Sequence, residues 1–247
     1  MMTVLELEDT VVVLRDMWMK TAQAVGDVNP IHYDDEYARK QGFRAAICPA
    51  VHIFGLAEKK VRKGGWKNMG GRAISASFDS AVYDEDRVNF YRNGRDLYIS
   101  TKFGGLDIIQ DKKSIVTRFT EEDFSPESRP VTKKLEDVGK ITPENVCLFD
   151  EGVEKADGEV YYAFPFGRII GLFLRGREGT AIKSMKFNLH HPPRTGEIYT
   201  FLDIQEEAGK ITRYNIDATC IQYDEPIVSG TAYGFRLNRE RKRVEAA

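Results

Sequence analysis

Two strongly apolar segments, each followed by four strand-like runs, constrain the fold of this chain more than any other feature. In the first, residues 50–63, a helix-compatible apolar pattern ends in basic residues before Gly64-Gly65. The second, residues 159–175, reads as a buried helix after Pro165. Because an apolar helix followed by antiparallel strands needs a sheet to cover it, each block predicts an α+β layer with the sheet curled over its helix.

The predicted strands fall into two sets separated by a polar segment. The first set is 72–80, 87–91, 96–103 and 114–119, and the second is 181–189, 198–206, 212–222 and 227–236. A further strand is predicted at 10–14 and a short helix at 16–25. We therefore predict two tandem halves, at 1–122 and 138–240, with a linker at 123–137 and a tail at 241–247.

The stretch from residue 24 to residue 32, A-V-G-D-V-N-P-I-H, carries the chemistry. Gly26-Asp27 and Asn29-Pro30 are two turn signals within five residues, and the residue before a proline favours an extended backbone. The preceding helix should therefore end near Gly26. A carboxylate and an imidazole then lie at the two ends of the turn, as Asp27 and His32, and this pair suits general acid–base catalysis.

This spacing resembles the signature of the MaoC-like, R-specific enoyl-CoA hydratase (hydratase 2) family, G-D-x-N-P-[ILV]-H followed by an alanine, here Ala38. The resemblance is specific over residues 24–56 and general elsewhere. It departs from the family at 47–50, where I-C-P-A replaces the usual I-x-H-G at the start of the central helix. The resemblance implies that each half is a hot-dog fold, a central helix wrapped by a curved antiparallel sheet.

The resemblance also implies the roles of the site residues. Asp27 and His32 act on one water molecule, and the backbone N–H groups at Ala50 and Val51 hold the thioester carbonyl, which free N–H groups at a helix N-terminus can do whatever the side chain. The turn is supported by three residues, namely Gly26, Asn29 and Pro30. We expect Asn29 to bond nearby backbone rather than take part in the chemistry.

A purely structural role is the alternative to a catalytic one for Asp27, His32 and His52. Asp27 could cap a turn and His32 could be a satisfied core histidine, but the specificity of the spacing favours catalysis. His52, two residues into the central helix, is expected to be a buried helix histidine. We expect the aromatic cluster at 161–173 to belong to the core. We also expect Asp27 and His32 to share the largest cleft that contains titratable groups, facing the start of the Ala50 helix.

Composition narrows the classes of partner. The chain has 247 residues, of which 42% are hydrophobic and 30% charged, and its net charge of -2 argues against general nucleic-acid binding. No apolar run is long enough to span a membrane, and the first residues do not resemble a signal peptide. Three widely spaced cysteines indicate reduced thiols in a cytoplasmic setting, and with four histidines they form no familiar zinc spacing. We therefore expect no metal and no cofactor.

Three functions remain open from sequence. The favoured function is a hydratase or dehydratase that acts on an acyl thioester carried by CoA or by a carrier protein. The second is a dehydratase of a non-thioester or specialised-metabolite substrate, which the altered residues 49–50 permit. The third is a non-catalytic acyl-binding hot-dog subunit, which gives Asp27 and His32 no task. Exposed sheet edges favour a homo-oligomer, with a dimer as the simplest form.

Overall fold

The computed structural model of the chain describes residues 6–63, 69–94, 96–101, 115–122, 135–153, 158–177, 179–209 and 211–237. Its helices are α1 (Arg15–Val25), α2 (Asp35–Lys40), α3 (Ala50–Lys63), α4 (Pro143–Gly152) and α5 (Ala163–Leu174), and a 3₁₀ turn covers Pro30–His32. Its strands are β1 (Glu6–Val13), β2 (Arg72–Phe78), β3 (Asp86–Asn93), β4 (Asp96–Ser100), β5 (Ile115–Glu122), β6 (Leu135–Ile141), β7 (Thr180–Leu189), β8 (Gly196–Glu207), β9 (Ile211–Gln222) and β10 (Glu225–Leu237).

The strands form one antiparallel sheet in the order β1-β3-β4-β5-β2-β7-β10-β9-β8-β6. Read outward from its centre, each half repeats the same order: β2-β5-β4-β3-β1 on one side and β7-β10-β9-β8-β6 on the other. The halves meet where β2 pairs with β7. The prediction of two tandem hot-dog halves is therefore confirmed, and the repeat that sequence identity does not show is visible in the topology.

The central helices α3 and α5 lie against each other beneath this sheet. The ring of Phe54 meets the ring of Phe166 edge to face, with centroids 4.2 Å apart. The predicted core cluster is buried as expected, and consists of Tyr161, Tyr162, Phe164, Phe166 and Phe173. In the described part of the chain, no helix is long and apolar enough to cross a membrane.

Two elements were missed from sequence. Residues 135–141 form β6, an edge strand paired with β8, so the last three residues of the predicted linker belong to the second half. Charged residues, which edge strands often carry, and a glycine obscured the strand in the sequence. Helix α4 begins with a capping box between Thr142 and Asn145 and with Pro143 in its first turn, a start signal that the sequence offered. The rest of the linker and the predicted tail lie outside the described residues.

Candidate active site

The turn that follows α1 sets the position of the first functional side chain. Gly26 ends the helix in the left-handed region with φ 75°, and the N–H of Asp27 donates to the carbonyl of Ala22 at 2.8 Å. Asn29 is extended before the proline, and its side-chain oxygen accepts from the N–H of Ile31 at 3.2 Å. The helix therefore stops abruptly at Val25, and a 3₁₀ turn begins five residues later at Pro30.

This turn brings Asp27 and His32 together. Oδ2 of Asp27 lies 3.5 Å from Nε2 of His32, and both residues are buried, with exposed fractions of 3% and 6%. Oδ1 of Asp27 accepts from the N–H of Asn29 at 3.0 Å. Nδ1 of His32 lies 2.7 Å from the carbonyl of Ile47, which can only accept, so Nδ1 carries a hydrogen. In the neutral ring, Nε2 is then the basic nitrogen, and it faces the carboxylate.

Two aromatic side chains hold the backbone of this pair. The indole N–H of Trp18, on α1, donates to the carbonyl of His32 at 3.3 Å. The hydroxyl of Tyr33 donates to the carbonyl of Asp27. Burial, and secondarily the charge of Asp27, raises the pKa of Tyr33 to about 12, so the phenol remains a protonated donor at neutral pH. The two reactive side chains are thus fixed by contacts that leave Oδ2 and Nε2 directed at each other.

Both groups line a cavity of about 210 Å³ that also reaches the start of α3. Ala50 and Val51 line its wall, and among the described residues their N–H groups have no hydrogen-bond partner, as expected in the first turn of a helix. The remaining wall is largely apolar and comes from both halves; it includes Phe78, Val82, Ile170, Leu174, Ile182 and Phe235. A carboxylate–imidazole pair, backbone N–H donors and a largely apolar wall therefore share one cavity.

The other predicted residues lie around this cavity. Asn29 lines it, whereas Gly26 and Pro30 line a second cavity on the other side of the turn. His52 is fully buried in α3, with Nδ1 2.9 Å from the hydroxyl of Thr21, and it is absent from the cavity wall. Its expected structural position is therefore observed.

The expectation that the site is the largest cleft is wrong. A groove of about 650 Å³ on the sheet is larger and contains Lys186, Asp217 and Tyr233. The reason is geometric, because the open face of a curved sheet encloses more space than a chamber packed between helices. Ile47, whose carbonyl fixes the tautomer of His32, is not among the site residues predicted from the sequence. No side-chain pattern signals a contact that a backbone carbonyl makes.

Sequence comparison bears on the half that carries this pair. Residues 2–96 match the family model described as the MaoC like domain.

The matched residues include both Asp27 and His32. No curated protein matches the chain significantly in sequence. Within the described residues, no three His, Cys, Asp or Glu side chains are grouped as a metal site would require.

Solved structures are similar to the fold of nearly the whole chain. A protein of Chloroflexus aurantiacus J-10-fl, provisionally described as a MaoC domain protein dehydratase, superposes with a TM-score of 0.70 at 10% identity, over 97% of this chain and 95% of that one. A MaoC-like dehydratase of Phytophthora capsici gives 0.59 at 12% identity, over 96% and 97%. A conserved hypothetical protein of Mycobacterium tuberculosis with a double hot-dog fold gives 0.58 at 12% identity, over 95% of both chains. At these identities the likeness concerns the fold.

Proposed function

We propose that the chain is a hydratase or dehydratase that adds or removes water across the C2–C3 bond of an enoyl or 3-hydroxyacyl thioester. The observation that carries this proposal is the 3.5 Å approach of Asp27 Oδ2 to His32 Nε2 in a partly apolar cavity. The two atoms are slightly too far apart for a strong direct hydrogen bond, and one water molecule can contact both. The match of residues 2–96 to the MaoC-like domain supports the same class of reaction.

In the hydration direction, the water lies between the two side chains. Nε2 of His32 takes one proton as the water oxygen bonds to C3. The carboxylate of Asp27 accepts a hydrogen bond from the other O–H, which stays on the oxygen as the new hydroxyl, and favours the imidazolium by its charge. The C2–C3 π electrons move toward the thioester carbonyl and form an enolate. The imidazolium then returns its proton to C2 on the same face, so that one water molecule has been added and the imidazole is neutral again.

The enolate oxygen needs donors that are already in place. The free N–H groups at Ala50 and Val51, with the positive end of the α3 dipole, can supply them. Alanine serves as well as glycine because the donor is the backbone, and Pro49 before it leaves both N–H groups intact. Dehydration is the same path in reverse and needs no metal or other cofactor. We propose that CoA or a carrier protein holds the thioester and that the chain assembles as a homo-oligomer.

The direct test is hydration of crotonyl-CoA by the purified protein, followed by loss of the absorbance of the conjugated thioester. Formation of 3-hydroxybutyryl-CoA, with no activity in a variant that combines Asp27→Asn with His32→Gln, would support the proposal. Binding of crotonyl-CoA without turnover would favour the non-catalytic acyl-binding subunit instead. If several enoyl thioesters neither bind nor react, the dehydratase of a non-thioester substrate becomes the better hypothesis.

A further inference from the structure

A second cavity, of about 290 Å³, lies on the other side of the turn that carries Asp27. We call it the arginine chamber, because its wall includes Arg168 in the middle of α5 and Arg175 and Arg177 just beyond its end. Three residues line both the arginine chamber and the catalytic cavity, namely Asp27, Asn29 and Leu174. The two spaces therefore meet at the catalytic carboxylate.

Arg168 is built into the chamber rather than scattered on the surface. Its guanidinium pairs with Asp137 on β6 and crosses Gly139, where any side chain would overlap it. Its Nη1 approaches the motif turn, 3.5 Å from the position that a Cβ on Gly26 would take. Its buried Nε has no hydrogen-bond partner among the described residues. A fixed cation therefore lies directly behind the turn that bears Asp27.

The other two arginines extend this charge to the solvent. Arg175 donates to Oδ1 of Asp137 at 3.2 Å while its side chain remains 66% exposed. Arg177 donates to the carbonyl of Phe173 at 2.8 Å. Among the described residues of this wall, Asp137 is the one acid apart from the catalytic carboxylate, so three guanidinium groups there face a single structural carboxylate. This excess of positive charge at an open rim suits a phosphate on an arm that leaves the protein.

The catalytic cavity has the opposite character away from its acid–base pair. Its described wall contains no Lys or Arg, and the one further ionisable acid in it is Asp79. A phosphate placed there would lose hydration without gaining a cation, whereas an uncharged acyl chain would be well accommodated. The charge distribution therefore distinguishes the two sides of Asp27.

We propose that the thioester substrate lies across Asp27, with its acyl chain in the apolar cavity and its carrier arm running through the arginine chamber past Arg168, so that Arg175 and Arg177 hold the phosphate at the end of the arm. This orientation rests on the proposed function, and it names the residues that select the carrier. The phosphate that ends a pantetheine arm is common to CoA and to carrier proteins, so either carrier could be recognised in this way.

The kinetic test compares two substrates that differ in their phosphates, crotonyl-CoA and unphosphorylated crotonyl-pantetheine. In the double variant Arg175→Gln/Arg177→Gln, we expect the ratio of kcat/KM for crotonyl-CoA to that for crotonyl-pantetheine to fall about three- to tenfold, through KM, as expected when partly exposed ion pairs are lost. Arg213→Gln is the matched control, because Arg213 is 55% exposed on β9 and lies outside both cavity walls. An unchanged ratio in the double variant would overturn the proposal.

Two further arms separate this proposal from its alternatives. If the double variant loses activity only toward a pantetheine thioester whose acyl group ends in a carboxylate, the arginines bind the acyl side and the orientation is wrong. Calorimetric titration with CoA, phosphopantetheine and pantetheine does not require turnover. Weaker binding of CoA and phosphopantetheine to the double variant supports the chamber even if no thioester is hydrated, and equal binding overturns it. Weakened binding of CoA alone would support a site for the phosphates of its adenosine end.

Discussion

The carboxylate of Glu58, near the middle of α3, accepts a hydrogen bond from the backbone N–H of Tyr162 at 3.0 Å. The same carboxylate accepts from the N–H of Ala163 at 3.2 Å and from Arg62, so it occupies the N-terminus of α5. By the symmetry of the two halves, that N-terminus corresponds to the start of α3, where the N–H groups of Ala50 and Val51 have no partner in the described part of the chain. One half thus presents backbone N–H donors to a cavity, and in the other half a buried carboxylate accepts from the corresponding N–H groups.

Substituting Glu58 should cost stability. Glu58→Gln keeps the shape but loses charge-assisted bonds to Arg62 and to the two N–H groups, so we expect the free energy of unfolding to fall by about 1.5–3 kcal/mol. Burial is the largest influence on the pKa of Glu58 and raises it, while Arg62 and the N–H groups act in the opposite direction. Urea unfolding measures the loss. The control is Glu207→Gln, because the side chain of Glu207 is 71% exposed. This substitution should change the free energy of unfolding by less than about 0.5 kcal/mol.

The role of the backbone N–H of Ala50 can be tested without introducing a polar side chain. Ala50→Pro removes this donor at the first position of α3, where proline is tolerated, so the thermal melt should move little. We expect kcat to fall about 10²–10³-fold if the N–H holds the enolate oxygen. Ala50→Gly keeps the donor and should retain most of the activity. Equal activity in the proline and glycine variants would exclude this N–H from the reaction.

The acid–base pair predicts a second kinetic pattern. Asp27→Asn and His32→Gln should each lower turnover of crotonyl-CoA about 10²–10⁴-fold, because each removes a proton acceptor from the same water. The double variant should lose much less than the product of the two single losses, since the residues act as a unit. Val28→Ala is a control within the same turn, because Val28 is 83% exposed. Near-normal turnover in His32→Gln with an unchanged melt would remove His32 from the mechanism.

The sequence predicted the elements whose signals are local. The strands of both halves, the end of α1 at Gly26 and the extended Asn29 followed from apolar alternation and turn chemistry. Helix α4 had a local start signal that was overlooked, and β6 lacked the alternation of a buried strand. The hydrogen bonds of Glu58 to the N-terminus of α5 and the grouping of the arginine chamber could not be predicted in this way. Glu58 and Tyr162 lie 104 positions apart in the sequence, and Gly26 and Arg168 lie 142 positions apart. A charged side chain in a helix reads as solvent-exposed until its partner helix is known.

Two glycines on α5 test how closely this helix must approach the motif turn. A Cβ on Gly167 would lie 2.6 Å from Cβ of Val25, whose branched side chain can hardly move, whereas a Cβ on Gly171 would lie 3.8 Å from the carbonyl of Gly26. Gly167→Ala should therefore lower the free energy of unfolding by about 1–3 kcal/mol through overpacking. Gly171→Ala should be neutral, or more stable by up to about 1 kcal/mol through helix propensity. Thermal melts of the two variants decide this, and equal stability would show that α1 and α5 can separate at no cost.

Acid should destabilise the protein through His52. Burial lowers the pKa of His52 to about 3. Among the described residues, its Nε2 has no hydrogen-bond partner that could stabilise the protonated, charged ring. Because the unfolded chain binds that proton below its ordinary pKa of about 6.5 and the folded chain does not, stability is fully present above that pH and is lost as the pH falls toward 3.

At about pH 5, this single group should lower the free energy of unfolding by about 2 kcal/mol relative to neutral pH. Urea unfolding of the wild type and of His52→Gln at both pH values isolates the effect. The variant starts from its own stability at neutral pH but lacks the titrating ring, so its loss on acidification should be smaller by that amount. Parallel losses in the two proteins would mean that the folded protein accepts the proton at His52, and that α3 opens to solvent at this position.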